Sequence, residues 1–311
     1  MNPVPLNPIS EKLLRTVAGY TGQFKGAYNI RQDSGCAGRR STDAVRIVPL
    51  PQGKPGIEIH VAPGARDETV YIPATVTRGD VHDLTYNDFY IGEGARVAIV
   101  AGCGVHTDDA GEARHNGVHR FFVGRGAQVR YEEKHIGEGA GRGKRRIDPV
   151  SEIYLEEDAH MTMDTVQLSG VDATDRVTTA TLRSRAVLVV RERLMTTADQ
   201  VARTRFNVVL EGADAGCDLV SRSVARGRSR QEFYSRIVGR ERCHGHSACD
   251  AIIADEAVVT AAPHLDALSP EAALIHEAAI GKIAGEQILK LRTLGLTEEE
   301  AEAKIVEGFL K

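Results

Sequence analysis

Val61-Ala-Pro-Gly-Ala65, Ile91-Gly-Glu-Gly-Ala95, Val123-Gly-Arg-Gly-Ala127, Leu155-Glu-Glu-Asp-Ala159 and Leu182-Arg-Ser-Arg-Ala186 repeat one pattern: an apolar residue, a short glycine-rich or charged corner, then alanine. Leu210-Glu-Gly-Ala213, one residue shorter, and Ile253-Ala-Asp-Glu-Ala257 continue it. From Ala65 to Ala213 the alanines advance by 30, 32, 32, 27 and 27 residues. After the corners, apolar residues fall at every second position, as in Val97 and Ile99, Met161 and Met163, or Val187 and Val189, which is the period of a β-strand. Short strands at a fixed period of that length predict parallel strands coiled into rungs, each rung covering the apolar face of the next. The alanine after each corner suits an interior bend where a larger side chain would clash. A two-sheet sandwich also has many short strands, but it has no reason to keep the period.

Composition agrees with this fold class, mainly β. The chain of 311 residues is 42% hydrophobic and 26% charged, ordinary for a folded protein with a sizeable core. Thirty-one glycines, no Trp and 5% aromatics point to many tight turns around a core of small and branched aliphatics. Lys and Arg number 39 against 43 Asp and Glu, a net charge of −4, so no global positive field draws the chain to nucleic acid or an anionic membrane. No basic leader followed by a long apolar run opens the sequence, and no stretch approaches a membrane span, so the expected location is the cytoplasm. Five scattered cysteines do not make a disulfide framework; free thiols or metal-bound thiolates are expected.

The two ends read differently from the middle, giving three expected regions: an N-terminal helical segment over 1–35, the coil over 36–268 and a helical domain over 269–311. Ser10 is a plausible N-cap for a helix over Glu11–Val17, stopped by Gly19. Ile280, Ile283, Ala284, Ile288 and Leu291 fall at helical spacing, with Gly295 as the terminator. Thr297 and Glu300 form a capping box for a second helix carrying Ala301, Ile305 and Val306, so a helix hairpin is expected. Phe309 and Leu310 would cap the domain or dock on a partner.

The densest chemistry is Cys243-His244-Gly245-His246-Ser247-Ala248-Cys249-Asp250. On one strand Cys243 and Cys249 share a face, and they converge only if a turn at Gly245 brings them together. The spacing does not match the cysteine pairs of zinc ribbons, and a buried cysteine packing as a small hydrophobe is the bland alternative. His276-Glu277 is expected to begin the C-terminal helix and to project an imidazole and a carboxylate toward Cys249, a mixed ligand set suited to iron or an iron-sulfur cluster. Cys103 with His106, His115 and His119 reads as a long corner loop with exposed histidines, a metal site being the lesser alternative. Cys36, in Ser34-Gly-Cys-Ala-Gly38, sits in a glycine-flanked turn where a thiol would be accessible. Cys217 alternates inside a strand and reads as core. Gly137-Glu-Gly-Ala-Gly-Arg-Gly-Lys144 fails the phosphate-loop template, having Glu138 where glycine is needed and Arg145 where Ser or Thr should follow. No nucleotide site is expected, and no nucleophile elbow is present, so an ordinary hydrolase is disfavoured. A polysaccharide-cleaving coil would need an aromatic-lined groove, against which the aromatic poverty argues.

The run Cys249-Asp-Ala-Ile-Ile-Ala-Asp255, Ala262-Pro263, His276-Glu-Ala-Ala-Ile-Gly-Lys-Ile283, Glu286-Gln287, Leu294-Gly-Leu-Thr-Glu-Glu-Glu-Ala301 and Gly308-Phe309 resembles the C-terminal half of the SufB/SufD family of iron-sulfur cluster assembly proteins. The similarity is specific over roughly residues 220–311, and in size the chain resembles the short members of anaerobic bacteria and archaea. It implies a right-handed parallel β-helix between helical ends and pairing with itself or a SufB/SufD paralogue through the β-helix. A SufC-type ABC ATPase would dock on the C-terminal helices, through Gly295, Thr297, Glu300, Ile305 and Phe309. The implied role is a non-enzymatic scaffold that holds a transient cluster, of the 4Fe-4S type, and hands it to apo-proteins. His276 and Glu277 match positions implicated at the SufB–SufD interface. Residues 255–261 lack the cysteine that SufB-type members can carry, and Ala257 lies about where it would be. Candidate ligands are therefore Cys36, Cys103, Cys243, Cys249, His246, His276 and Glu277, drawn from one chain or across a dimer. A SufD-like partner without its own cluster, or a structural zinc or iron site, are the alternatives.

Overall fold

The coil is made at its corners. In the computed structural model, which describes residues 5–311, the residue before the inward alanine takes a left-handed backbone at five successive corners: Gly94 (φ 63°), Gly126 (φ 61°), Asp158 (φ 61°), Arg185 (φ 58°) and Asp214 (φ 61°). Glycine adopts this conformation freely and aspartate tolerates it. Ala95, Ala127, Ala159 and Ala186 then turn inward, fully buried. The sixth corner corrects the sequence reading. It runs from Leu210 to Ala215, one residue longer than the others rather than shorter, and the buried alanine is Ala215, not Ala213.

Two facing sheets result. The first stacks, in spatial order, β2 (Gly35–Arg40), β1 (Ala27–Gln32), β5 (Glu68–Val76), β7 (Arg96–His106), β9 (Gln128–Glu138), β12 (His160–Ser169), β14 (Val187–Thr196), β16 (Ala215–Ala225), β18 (Cys243–Ile253) and β20 (Ala272–Gly281). The second runs from β3 (Val45–Pro49) and β4 (Gly56–Val61) through β6 (Val81–Ile91), β8 (Ala113–Val123), β10 (Arg145–Ile147), β13 (Ala173–Leu182), β15 (Val201–Leu210) and β17 (Arg230–Gly239) to β19 (Val258–Ala267). A further strand, β11 (Val150–Leu155), also lies between β8 and β13. Pairing is parallel except in the β1–β2 and β3–β4 hairpins at the first rungs. This is a parallel β-helix, as expected, with helices at both ends of the chain. The inward rows of Val, Ile, Leu, Met and Ala form one continuous core, in which Phe89 stacks on Phe121 at 4.6 Å between centroids.

Helix α1 (Pro8–Ala18) is capped by Asn7, whose side chain accepts from the Ser10 amide at 2.7 Å. Ser10, expected as the cap, is instead buried with its hydroxyl 2.8 Å from Thr75 Oγ1. The helix lies on the outer face of β5, β7 and β9 through Leu13, Leu14 and Val17. It sits so close that a Cβ on Gly102 would come within 2.7 Å of Val17, and one on Gly104 within 2.9 Å of Leu13. Gly102→Val is therefore expected to cost about 1–3 kcal/mol in urea denaturation. Gly308→Ala, at a helix position whose Cβ would meet nothing within 4 Å, is expected to stabilise by about 0.4–1 kcal/mol.

The boundaries between regions differ from the expected ones. Residues 27–32 already form a strand inside the expected N-terminal segment, and β20 occupies residues 272–281 inside the expected helical domain. Residues 1–4 of the opening segment lie outside the described residues. The C-terminal hairpin comprises α2 (Gly285–Arg292) and α3 (Glu298–Phe309). Its capping box is complete: Glu300 N donates to Thr297 Oγ1 at 3.2 Å and Thr297 N to Glu300 Oε2 at 2.8 Å. Gly295 takes a left-handed turn (φ 96°) between the helices. Among the described residues no helix is long and apolar enough to cross a membrane.

Candidate functional site

The structure separates most of the residues that the sequence singled out. Gly245 lies in mid-strand on β18, not in a turn, so Cys243 and Cys249 face the interior six residues apart, about 20 Å of extended chain. His276 and Glu277 do not begin a helix; they are consecutive on β20 and point to opposite faces. His276 lies in the same inward row as Ser247, one strand from Cys249, and its Nδ1 is buried without a hydrogen-bond partner. Glu277 is outside, 3.8 Å from His246 Nε2, while His246 Nδ1 contacts Asp218 at 2.8 Å. Cys36 is on β2 rather than in a turn, half-buried, with Sγ 3.7 Å from Asn29 Oδ1. Cys217 is core, as read. Among the described residues no group of three or more His, Cys, Asp or Glu side chains is placed to hold a metal ion. The donors of a single chain therefore do not fit a resident cluster.

What the structure gathers instead is a file of buried polar groups inside the coil. Cys103, His115 and His119, expected in an exposed corner loop, are 5%, 2% and 3% exposed. Cys103 on β7 stands beside His135 on β9 and faces His115 across from β8. His115 Nδ1 contacts Asp83 Oδ2 at 3.1 Å, and Arg31 clamps the same carboxylate, its Nη2 2.6 Å from Oδ1. In the other direction, His135 Nε2 lies 3.3 Å from Glu133 Oε1. Glu133 accepts from the Tyr131 hydroxyl at 2.8 Å and from Arg176 Nη1 at 2.7 Å. Arg176 Nε reaches Glu192 at 3.4 Å, and Glu192 accepts from Thr204 at 2.9 Å and Ser221 at 2.6 Å. Ser221 is the register neighbour of Cys249. Cys36, Arg31, Ala74, Cys103 and His135 occupy one row of adjacent strands, and Glu133, Thr165, Glu192, Ser221 and Cys249 a second, two residues away.

Charges alternate along this file: Arg31, Asp83, His115, Cys103, His135, then Glu133, Arg176 and Glu192. Buried charges persist only when paired, and here each has a neighbour of opposite sign. The thiols respond differently to their surroundings. Burial alone would raise Cys103, but the imidazoles of His115 and His135 outweigh it and bring the thiol down to about 7. Burial would lower His115, yet Cys103 and Asp83 hold it protonated, up to about 10. Burial would lower His135 as well, yet Glu133 and Cys103 outweigh it and bring it up to about 9, with Arg176 Nη2 3.3 Å from its Nδ1. Both rings thus stand as cations beside the sulfur. Burial pushes Cys249 up to about 12, with Glu192 and Asp250 adding to it, and Cys217 likewise to about 12. Thiolate ultraviolet absorption, read as the difference between the wild type and Cys103→Ser, is therefore expected to appear as pH passes about 7, whereas Cys217→Ser and Cys249→Ser should show no such difference at neutral pH. An equal difference for the three variants at neutral pH would contradict the assignment.

A family profile described as "SUF system FeS cluster assembly, SufBD core domain" matches residues 82–309. The chain is 31% identical over 262 residues to an iron-sulfur cluster assembly SufBD family protein of Methanothermobacter thermautotrophicus, covering 82% of this chain and 62% of that protein. It is 27% identical over 258 residues to a SufBD family protein of Archaeoglobus fulgidus, covering 82% and 68% respectively. The chain thus spans 62% of the length of the Methanothermobacter relative. A coil of this architecture, matched by the core-domain profile over most of its length, belongs to the SufBD family of iron-sulfur cluster assembly proteins.

Proposed function

We propose that the chain is a scaffold of the SUF machinery in which sulfur and metal are handled at different places. Cys103 holds sulfur, and iron and sulfur meet as cargo, a transient 4Fe-4S cluster, near Cys249 and His276. The observation that carries this reading is the interior polar file, which links a thiolate-stabilised cysteine to a second cysteine one strand from the end of the coil. A resident metal centre would need converging donors, and a structural core would need no charges. Cys249 on β18 sits next to the last strand of its sheet and His276 lies on that strand, so a second chain set against that edge supplies the rest of a ligand set.

The end of the coil supports pairing with a second copy or a SufB/SufD paralogue. β19 and β20 each leave one edge unpaired, and Val258 (43% exposed), Leu268 (66%) and Ile275 (56%) stand uncovered there. Docking of a SufC-type ATPase on α2 and α3, including Gly295, Thr297, Glu300, Ile305 and Phe309, brings the nucleotide chemistry for which this chain has no motif. The completed cluster passes to apo-proteins.

The test is anaerobic reconstitution with iron and sulfide. Broad visible absorption is expected, weakened in Cys249→Ser and in Cys103→Ser and unchanged in Cys217→Ser. Unaltered absorption in every Cys→Ser variant would defeat the reading. The second reading, a SufD-like partner without its own cluster, is favoured by the dispersal of the five thiols. It predicts that absorption develops only when a paralogue is added.

A further inference from the structure

At the foot of the C-terminal hairpin, the outer face of the first sheet carries a pocket of about 360 Å³, lined by Asp164, Arg191, Arg193, Val220, Arg222 and Lys311, with Glu192 behind them. That volume falls within the range of small-molecule sites. Four of the side chains are cations, and both carboxylates are already engaged. Asp164 pairs with Arg193, and Glu192 turns into the coil, where Arg176, Thr204 and Ser221 hold it. Arg191 pairs with Asp218. Arg222 makes no ion pair among the described residues. Outward arginines of this coil commonly meet a carboxylate about one turn away, as Arg183 does at Glu211, Arg203 at Glu232 and Arg242 at Asp214. Asp250, the register neighbour of Arg222 on β18, offers the same arrangement, yet Arg222 lines the pocket beside Arg193, its register neighbour on β14. Two guanidinium groups side by side on adjacent strands repel each other unless an anion lies between them. Lys311 adds a further cation, sharing Glu307 at 2.9 Å with Lys304 at 3.0 Å.

We infer that this pocket binds a phosphate anion, as inorganic diphosphate or as the phosphates of a nucleotide, and that the bound anion ties the hairpin to the coil. Guanidinium groups answer the oxygens of a phosphoryl group two at a time, and the ammonium of Lys311 meets them as a point charge. Val220 is the one apolar side chain of the lining and no aromatic ring is there to stack on a base, so the phosphates are recognised and a nucleoside is not. Arg191, Arg193 and Arg222 belong to the coil, whereas Lys311 follows α3. The hairpin is otherwise held at the buried Ala301 and at the contact of Arg226 with Glu302, 3.5 Å apart. An anion gripped from both sides opposes its separation from the coil. Neither the cluster nor the partner ATPase enters this assignment, which concerns the outer face of the sheet and not the polar file inside.

The experiment is calorimetric titration of the full chain with inorganic pyrophosphate at about 0.15 M salt. Saturable one-to-one binding is expected, about tenfold weaker in Arg222→Met and in Lys311→Met, each of which removes a charge-assisted contact. Arg222 is exposed and Lys311 lies beyond α3, so neither variant disturbs the core. Arg230→Met, which removes an exposed arginine from β17 on the other sheet, is expected to leave the affinity unchanged. ADP is expected to bind as pyrophosphate does, and adenosine not at all. At pyrophosphate about tenfold above its dissociation constant, hydrogen exchange of the amides of Glu298–Phe309 is expected to slow about tenfold, the linkage expected if separation of the hairpin destroys the site. In Lys311→Met at the same concentration the slowing should fall to about twofold. Absence of saturable binding, unchanged affinity in both Arg222→Met and Lys311→Met, an equal loss in Arg230→Met, or binding of adenosine overturns the site. Binding that leaves exchange in the hairpin unaltered overturns its role as a tie.

Discussion

Arg176→Met is expected to destabilise the folded chain at neutral pH by about 3–5 kcal/mol, the cost of leaving buried charges without a partner. The Arg176 side chain is 6% exposed and lies between the carboxylates of Glu133 and Glu192, 1% and 5% exposed. Methionine fills much of the space but answers neither charge. Glu133 would keep the Tyr131 hydroxyl and His135, while Glu192 would keep only Thr204 and Ser221. The pH dependence follows in sign. In the wild type Arg176 and His135 hold Glu133 well below the usual carboxylate range against the opposing effect of burial. A depressed carboxylate contributes stability that is present above about pH 4.3, its unfolded value, and lost only as pH falls through the lower folded value. In the variant Glu133 loses one of the two cations that oppose its burial, so its folded value moves up and the deficit should grow as pH rises from about 4 to 7. Urea denaturation at both ends of that range reads it. Adding Glu133→Gln and Glu192→Gln to Arg176→Met should recover most of the loss, because no buried charge then remains unpaired. A deficit that is the same at both pH values would show that packing, not charge, decides this part of the core.

Deletion of residues 294–311 is expected to abolish association with the partner ATPase while leaving the coil folded. The hairpin is poorly anchored: α2 has no buried residue, Ala301 is the only buried residue of α3, and Arg226 reaches Glu302 at 3.5 Å. Leu289 is 61% and Leu294 74% exposed, so the hairpin presents apolar surface to solvent rather than to its own coil. Removing α3 and its connection takes little from the core, and the melting temperature and far-UV circular dichroism should hold. Co-purification undiminished after the deletion would move the docking surface elsewhere, and collapse of the coil would show that the hairpin is a structural cap.

Elements set by near neighbours were legible in the sequence. The capping box at Thr297 and Glu300 formed as read, because its partners are three residues apart. Gly19 ended α1 in a left-handed turn (φ 64°) for the same kind of local reason. The helical spacing of Ile280 and Ile283 misled, because apolar residues on the last rung of a coil also recur at short intervals. Parallel pairing with β18 made residues 272–281 a strand and turned His276 and Glu277 to opposite faces. At β9 a usable signal went unread. In Val129-Arg-Tyr-Glu-Glu-Lys-His135 the residues in phase with the buried Val129 are Tyr131, Glu133 and His135, so the alternation itself placed two ionisable groups inside.

By itself the sequence determined the coil: glycine or aspartate able to turn left-handed at most corners, alanine to follow it, and alternation to divide inside from outside are all local requirements. Only the tertiary structure decided which interior groups meet. Cys103 and His135, or Glu192 and Ser221, are about one turn of the coil apart in the chain and become neighbours through the parallel register. A corner longer or shorter by one residue can shift that register without disturbing the alternation that the sequence displays.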